Sequence, residues 1–168
     1  MNADSLRAIQ APLKDQYRAD PGAAVITLRA QGTLGTEAIS CKVETGKALV
    51  EAGLHPASGG DGSFACSGDM LLEVLVACAG VTLNAVATAI GIDIRGGTVK
   101  AEGDLDFRGT LGVDKQAAVG FKDIRLSFDI DTDATPEQRA NLLRLTERYC
   151  VILQTLRQPP VVEAVFAA

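Results

Sequence analysis

Apolar positions along this chain follow two rhythms, and the switches between them mark its elements. Leu6, Ile9, Leu13 and Tyr17 recur at helical spacing, which predicts a helical arm at the start. Pro12 suits the first turn of a second helical piece, so the arm is expected to be broken there. Asp20-Pro21-Gly22 reads as a turn. Ala23–Leu34 then alternates, with Val25, Thr27 and Arg29 on one face. The string GTLGTE reads as a turn, and Ile39, Cys41 and Val43 share a face of the next run. Two alternating runs around a glycine-containing turn predict a hairpin. LHPASGGDGSF is a loop by composition. It leads into MLLEVLVACAGVTLNAVATAI, residues 70–90, apolar nearly all round as a central core helix is. Ser67 or Asp69 stands where its N-cap belongs.

After Gly91 the rhythm becomes two-fold. Ile92–Ile94 is expected to start a strand, Thr98–Phe107 to continue as one, and Arg108–Gly112 to turn. Ile124–Ile130 alternates cleanly. Thr135, Pro136 and Glu137 form a helix start, with cap, fixed first residue and acid near the positive end. That helix is expected to reach about Tyr149. Pro159-Pro160 ends the helical run after it, and Val161–Phe166 reads as a last strand. The order of elements predicts an α+β fold, an antiparallel sheet packed on one or two long helices. Residues 1–22 form the expected N-terminal helical arm and residues 23–168 the domain proper.

Composition narrows this picture. At 168 residues one domain is expected. With no Trp, five Phe and two Tyr, the core must be built from Ala, Val, Leu and Ile. The net charge is −5, and Lys and Arg are scattered, so no nucleic-acid partner is expected. Residues 70–90 are long enough to span a bilayer. They carry Glu73, Thr82, Asn84 and Thr88, and no Lys or Arg cluster anchors them, so a core helix is the expectation rather than a membrane span. The N-terminus lacks the basic-then-apolar layout of a secretion signal. Four cysteines without paired spacing do not form a disulfide scaffold, and a reducing cytoplasm is the expected location.

Those cysteines are the candidate chemistry. Cys78 lies mid-way along the apolar helix, and Cys150 breaks the helical pattern LLRLTERYCVILQTL. Two thiols far apart in sequence, each in an apolar helical setting, suit a peroxide-reducing dithiol. One thiolate becomes a sulfenic acid and a second thiol closes a disulfide onto it. They suit equally two inert buried cysteines, because free Cys behaves as a small hydrophobe. Cys41 reads as strand core. Cys66, twelve residues before Cys78, is a minor candidate for an alternative disulfide partner. His55 is the single histidine and precedes Pro56 in a loop, so a metal site is not expected. CxxC and GxSxG motifs are absent. No cofactor is expected.

At these residues the chain resembles the OsmC/Ohr family of organic hydroperoxide-related proteins. The likeness is carried by SGDMLLEVLVACAGVTLNAVA, by LLRLTERYCVILQTL, and by the order of elements ending in PPVVEAVF, over roughly residues 23–166. The resemblance implies an intertwined homodimer with two long central helices and sheets outside. It places the peroxidatic cysteine at Cys78 and the resolving one at Cys150. It also implies reduction of organic hydroperoxides in oxidative stress defence, with recycling by a dithiol such as a lipoyl protein.

The sequence departs from the family in three places. Val151 stands where the family often has Pro. Asp69, nine residues before Cys78, matches the place of the family's acidic residue and is the third candidate catalytic residue. At about 100° per residue it faces away from Cys78 unless the helix starts irregularly, and a capping role is the simpler one. No Arg occupies the loop where the family's Arg is expected; Arg29 and Arg148 are the nearest. The alternative function is therefore a non-catalytic OsmC-like stress protein that binds an apolar ligand or partner.

Overall fold

The structure, a computed structural model, describes residues 49–112 and 114–166 continuously, with residues 2–5, 8, 10, 11, 19, 32–34 and 40–44. Leu6, Ile9, Pro12, Leu13, Tyr17 and the Asp20–Gly22 turn lie outside the described residues, as do Val25, Thr27 and Arg29. Residues 3–5 are helical, and the Asn2 Oδ1 accepts the Ser5 N–H at 2.8 Å, a capping bond. The chain divides into two compact units: one of residues 1–7, 74–100 and 127–168, the other of residues 8–73 and 101–126.

The second unit contains a four-stranded sheet in the order β1 (Gly32–Leu34), β2 (Ser40–Glu44), β3 (Leu49–Gly53) and β4 (Ala65–Cys66). β1 and β2 form the expected hairpin ladder, Leu34 opposite Cys41 and Gly32 opposite Val43. β1 takes up the first half of the string read as a turn. β3 has no counterpart among the expected strands: LVEAG is short, and Leu49 faces solvent. β4 runs parallel to β3, so the sheet is mixed where an antiparallel one was expected. The loop between them contains a short 3-10 turn, Pro56–Ser58, capped by His55 Nδ1, which accepts the Ala57 N–H at 3.0 Å. The His55 ring stacks on Phe107 at 5.0 Å.

α1 (Ser67–Ile90) is the apolar helix, one turn earlier than the periodicity begins. By length and composition it could cross a membrane. Its stripe Leu75, Ala79, Leu83 and Ala87, spaced by four, is buried against protein. It stops in a Schellman motif. Gly91 takes φ +75°, the Ile92 N–H reaches the Ala87 carbonyl at 2.9 Å, and the Gly91 N–H reaches the Thr88 carbonyl. A positive φ is what glycine tolerates at this position.

β5 (Gly96–Leu105) and β6 (Phe121–Asp131) make a separate two-stranded ladder. Ile92–Ile94 precede the strand instead of starting it; Ile92 and Ile94 pack into the core with Phe128, Ile130, Leu83, Ala87 and Leu142. A short helix, α2 (Phe107–Thr110), capped by Asp106, replaces the simple turn expected there. α3 (Pro136–Tyr149) starts as its sequence predicts. Thr135 accepts the Gln138 N–H, and Gln138 accepts the Thr135 N–H in return, a full capping box. α4 (Val151–Arg157) follows after a single residue, Cys150. Val161–Phe166, expected as a strand, pairs with no strand among the described residues; Val161 is 93% exposed and Phe166 104%. A β-forming sequence becomes a strand only where a neighbour receives its hydrogen bonds.

Candidate functional site

The site lies within the first unit, where α1 meets the break between α3 and α4. Cys78 sits beside the buried stripe of α1, next to Ala79, and is half-buried. Its neighbours one helical turn away, Val74 and Val81, are exposed and apolar. On α3 the residues Leu142 and Thr146 are buried four apart, and Cys150 continues the line with 0% exposure. The Thr146 hydroxyl donates to the Leu142 carbonyl at 2.8 Å, so this buried polar group is satisfied.

Cys150 is both the end of α3 and the cap of α4, at φ −72° and ψ 107°. That extended ψ breaks the helix for one residue, although the Cys150 N–H still bonds the Thr146 carbonyl and the Cys150 carbonyl still receives the Gln154 N–H, both at 2.9 Å. The N–H groups of Val151, Ile152 and Leu153 open a new helix and have no acceptor within it. They bear on the acidity of the two thiols, Ile152 and Val151 on Cys78 and Leu153 and Ile152 on Cys150.

The Cys150 thiol donates to the Cys78 sulfur at 3.5 Å. The two thiols are driven in opposite directions. For Cys78, burial pushes the pKa up. That is outweighed by hydrogen bonds to the thiolate from the Ile152 N–H, the Cys150 thiol, the Thr82 hydroxyl and the Val151 N–H, and the net is a pKa below the ordinary thiol value. For Cys150, burial again pushes up. The Leu153 and Ile152 N–H groups oppose it, but the hydrogen bond it gives to Cys78 and the Cys78 charge add to the rise, so it stays a thiol. The Thr82 hydroxyl donates at 2.8 Å to the Cys78 carbonyl, and its one proton serves either that oxygen or the sulfur. A pair at 3.5 Å is in hydrogen-bond contact and carries no S–S bond. A disulfide at about 2.05 Å would need the sulfurs to converge by about 1.5 Å.

The other candidates lie elsewhere. α1 is continuous from Ser67, so the irregular start that would have turned Asp69 toward Cys78 is not present. Asp69 is exposed in the first helical turn, where its charge suits the positive helix end, and it lies inside the helix rather than at the N-cap. Arg148 lies over the ring of Tyr149, 5.6 Å from its centre. Arg29 lies outside the described residues. Cys66, a half-buried thiol, ends β4 in the other unit, and of Cys41 only the strand backbone is described. Sequence reasoning missed Thr82 and the three backbone donors. Thr82 is four residues after Cys78 and was legible in principle; a backbone N–H has no signature in sequence.

The sequence model of one family, OsmC-like protein, matches residues 60–165. This chain belongs to the OsmC-like family. The match spans both cysteines of the pair. Solved OsmC-like structures superpose on most of the chain. The OsmC-like protein from Mycoplasma pneumoniae does so with TM-score 0.66 and 18% identity, over 80% of this chain and 89% of that one. An organic hydroperoxide resistance protein from Elizabethkingia anophelis gives 0.64 and 19%, over 80% and 91%. The organic hydroperoxide resistance protein OhrB of Bacillus subtilis gives 0.53 and 19%, over 79% and 93%. At such identities the likeness establishes the α+β OsmC-like fold. Comparison with curated proteins returns no match.

Proposed function

We propose that this OsmC-like chain reduces organic hydroperoxides through a Cys78–Cys150 disulfide cycle, in defence against peroxide stress. The observation that carries the proposal is the 3.5 Å sulfur contact in which Cys150 donates to Cys78, the thiol of the pair whose pKa is lowered. The Cys78 thiolate attacks the outer oxygen of the hydroperoxide. The O–O bond breaks, the alkoxide takes a proton and leaves as alcohol, and Cys78 becomes a sulfenic acid. Oxidation removes the charge that held the Cys150 proton in place. Cys150 then attacks the Cys78 sulfur, and its proton leaves with the hydroxyl as water while the S–S bond forms. A dithiol reductant, such as a lipoyl protein, returns two electrons and two protons.

The apolar residues Val74 and Val81 beside Cys78 suit an alkyl hydroperoxide. We place the reaction in a cytoplasmic homodimer. What supports the dimer is apolar surface left bare by one chain, Val81 at 72% exposure and the segment Val161–Phe166. The catalytic pair is Cys78 and Cys150; Asp69 is assigned to the helix end. The test is a thiol count with disulfide mapping before and after one equivalent of cumene hydroperoxide. Loss of two thiols with a Cys78–Cys150 linkage is expected, and Cys78→Ser is expected to abolish turnover. Undiminished turnover in that variant would overturn the proposal.

A further inference from the structure

An unbroken helix through residue 150 would bond the N–H groups of Val151, Ile152 and Leu153 to the carbonyls of Glu147, Arg148 and Tyr149. The extended ψ at Cys150 opens those rungs while keeping the ones on either side. Opening them has a cost. Arg148 and Tyr149 are exposed, whereas Glu147 is half-buried, and a carbonyl there needs a partner. It has one. The side-chain amide of Gln154, on α4, donates through Nε2 to the Glu147 carbonyl at 2.7 Å. Only the amide NH2 end can serve a carbonyl acceptor, which fixes the orientation of the side chain. A second link runs the same way, from the Arg157 guanidinium to the Glu147 carboxylate at 2.9 Å. That pair is solvent-exposed and so contributes little.

We propose that Gln154 is a positioning residue for the Cys78–Cys150 pair, its amide occupying the Glu147 carbonyl so that the helix stays broken at Cys150 and the Cys150 thiol stays against the Cys78 sulfur. Without that amide, the carbonyl draws the Val151 N–H back into the helical rung, the break straightens, and the sulfur loses a donor. Gln154 touches neither sulfur; it acts through the backbone of the break. The inference rests on the reading of Cys78 and Cys150 as the reacting pair, and its test uses no peroxide.

The variant is Gln154→Met, which keeps the length and apolar stem and removes the donor. The readout is the pH profile of Cys78 alkylation by iodoacetamide, followed on the Cys78 peptide by mass spectrometry. The expected result is a midpoint moved to higher pH by about half a unit, a roughly threefold loss of reactivity near neutrality, with the circular dichroism unchanged. A folded variant with an unchanged midpoint overturns the inference. If the methionine variant does not fold, Gln154→Asn gives the same test, because the amide remains polar but no longer reaches Glu147. A shifted midpoint in a protein that shows no hydroperoxide turnover would retire the functional proposal and leave this inference standing. Turnover with no shift would retire this inference alone.

Discussion

Cys78 and Cys150 differ in which end of one hydrogen bond they hold, and that difference decides their chemistry. Cys78 is an acceptor ringed by donors, so its charge is stabilised. Cys150 is buried and donates to that charge, so its proton is retained. The coupling predicts the behaviour of each residue in the absence of the other. In Cys78→Ala, Cys150 loses both the acceptor and the neighbouring charge that raise its pKa. Its midpoint is expected to move down from its raised position, while burial and the opposing Leu153 and Ile152 N–H groups remain. The Cβ chemical shift of Cys150 across a pH series measures it. A midpoint that does not move would mean that the two sulfurs do not interact.

At the scale of elements, the break between α3 and α4 is the device that aims N–H groups at sulfur. Its geometry explains why proline is an acceptable successor to the second cysteine. Cys150 already has the extended ψ that a residue before proline prefers, and Val151 is the first residue of a helix, where proline fits. Val151→Pro is therefore expected to fold, while deleting one donor to Cys78. The alkylation midpoint of Cys78 should rise, and an unchanged midpoint would show that the Val151 N–H plays no part. The break itself was visible in sequence as a cysteine interrupting LLRLTERYCVILQTL. So were the ends of the neighbouring elements, since Thr135, Pro136 and Gly91 act through side-chain chemistry or its absence. The donors at Val151 to Leu153 were not visible, because every residue but proline has an N–H and only the fold says where it points. The strand at Leu49–Gly53 escaped for a related reason: its pairing with β2 is set by register, which a short run does not announce.

For the whole molecule, four carboxylates are paired with arginines away from the two sulfurs. Asp104 pairs with Arg125, Asp106 with Arg108, and Asp131 and Asp133 share Arg95. Hydrogen bonds from those guanidinium groups hold all four carboxyls below the usual carboxylate range, Asp106 at about 2. A folded pKa below the unfolded one means stability that is present above about pH 4 and is lost as the pH falls through the folded values. The thermal midpoint is thus expected to fall in acid below about pH 4, and added salt should shrink that loss, because the pairs of Asp104, Asp131 and Asp133 are exposed and screened. An acid limb insensitive to salt would point to other groups. Fold class was legible from rhythm alone. The state of Val161–Phe166 was not, since its sequence is that of a strand and its conformation depends on its neighbours.

The sealing of Cys150 has a consequence for measurement. A reagent in solution reaches the half-buried Cys78 directly, but it reaches Cys150 only when the packing around that residue opens. With a fast alkylating reagent in excess, the slow labelling of Cys150 becomes a clock for that opening. Its rate in the native protein counts how often that packing opens, on a timescale that no static picture of the two sulfurs contains.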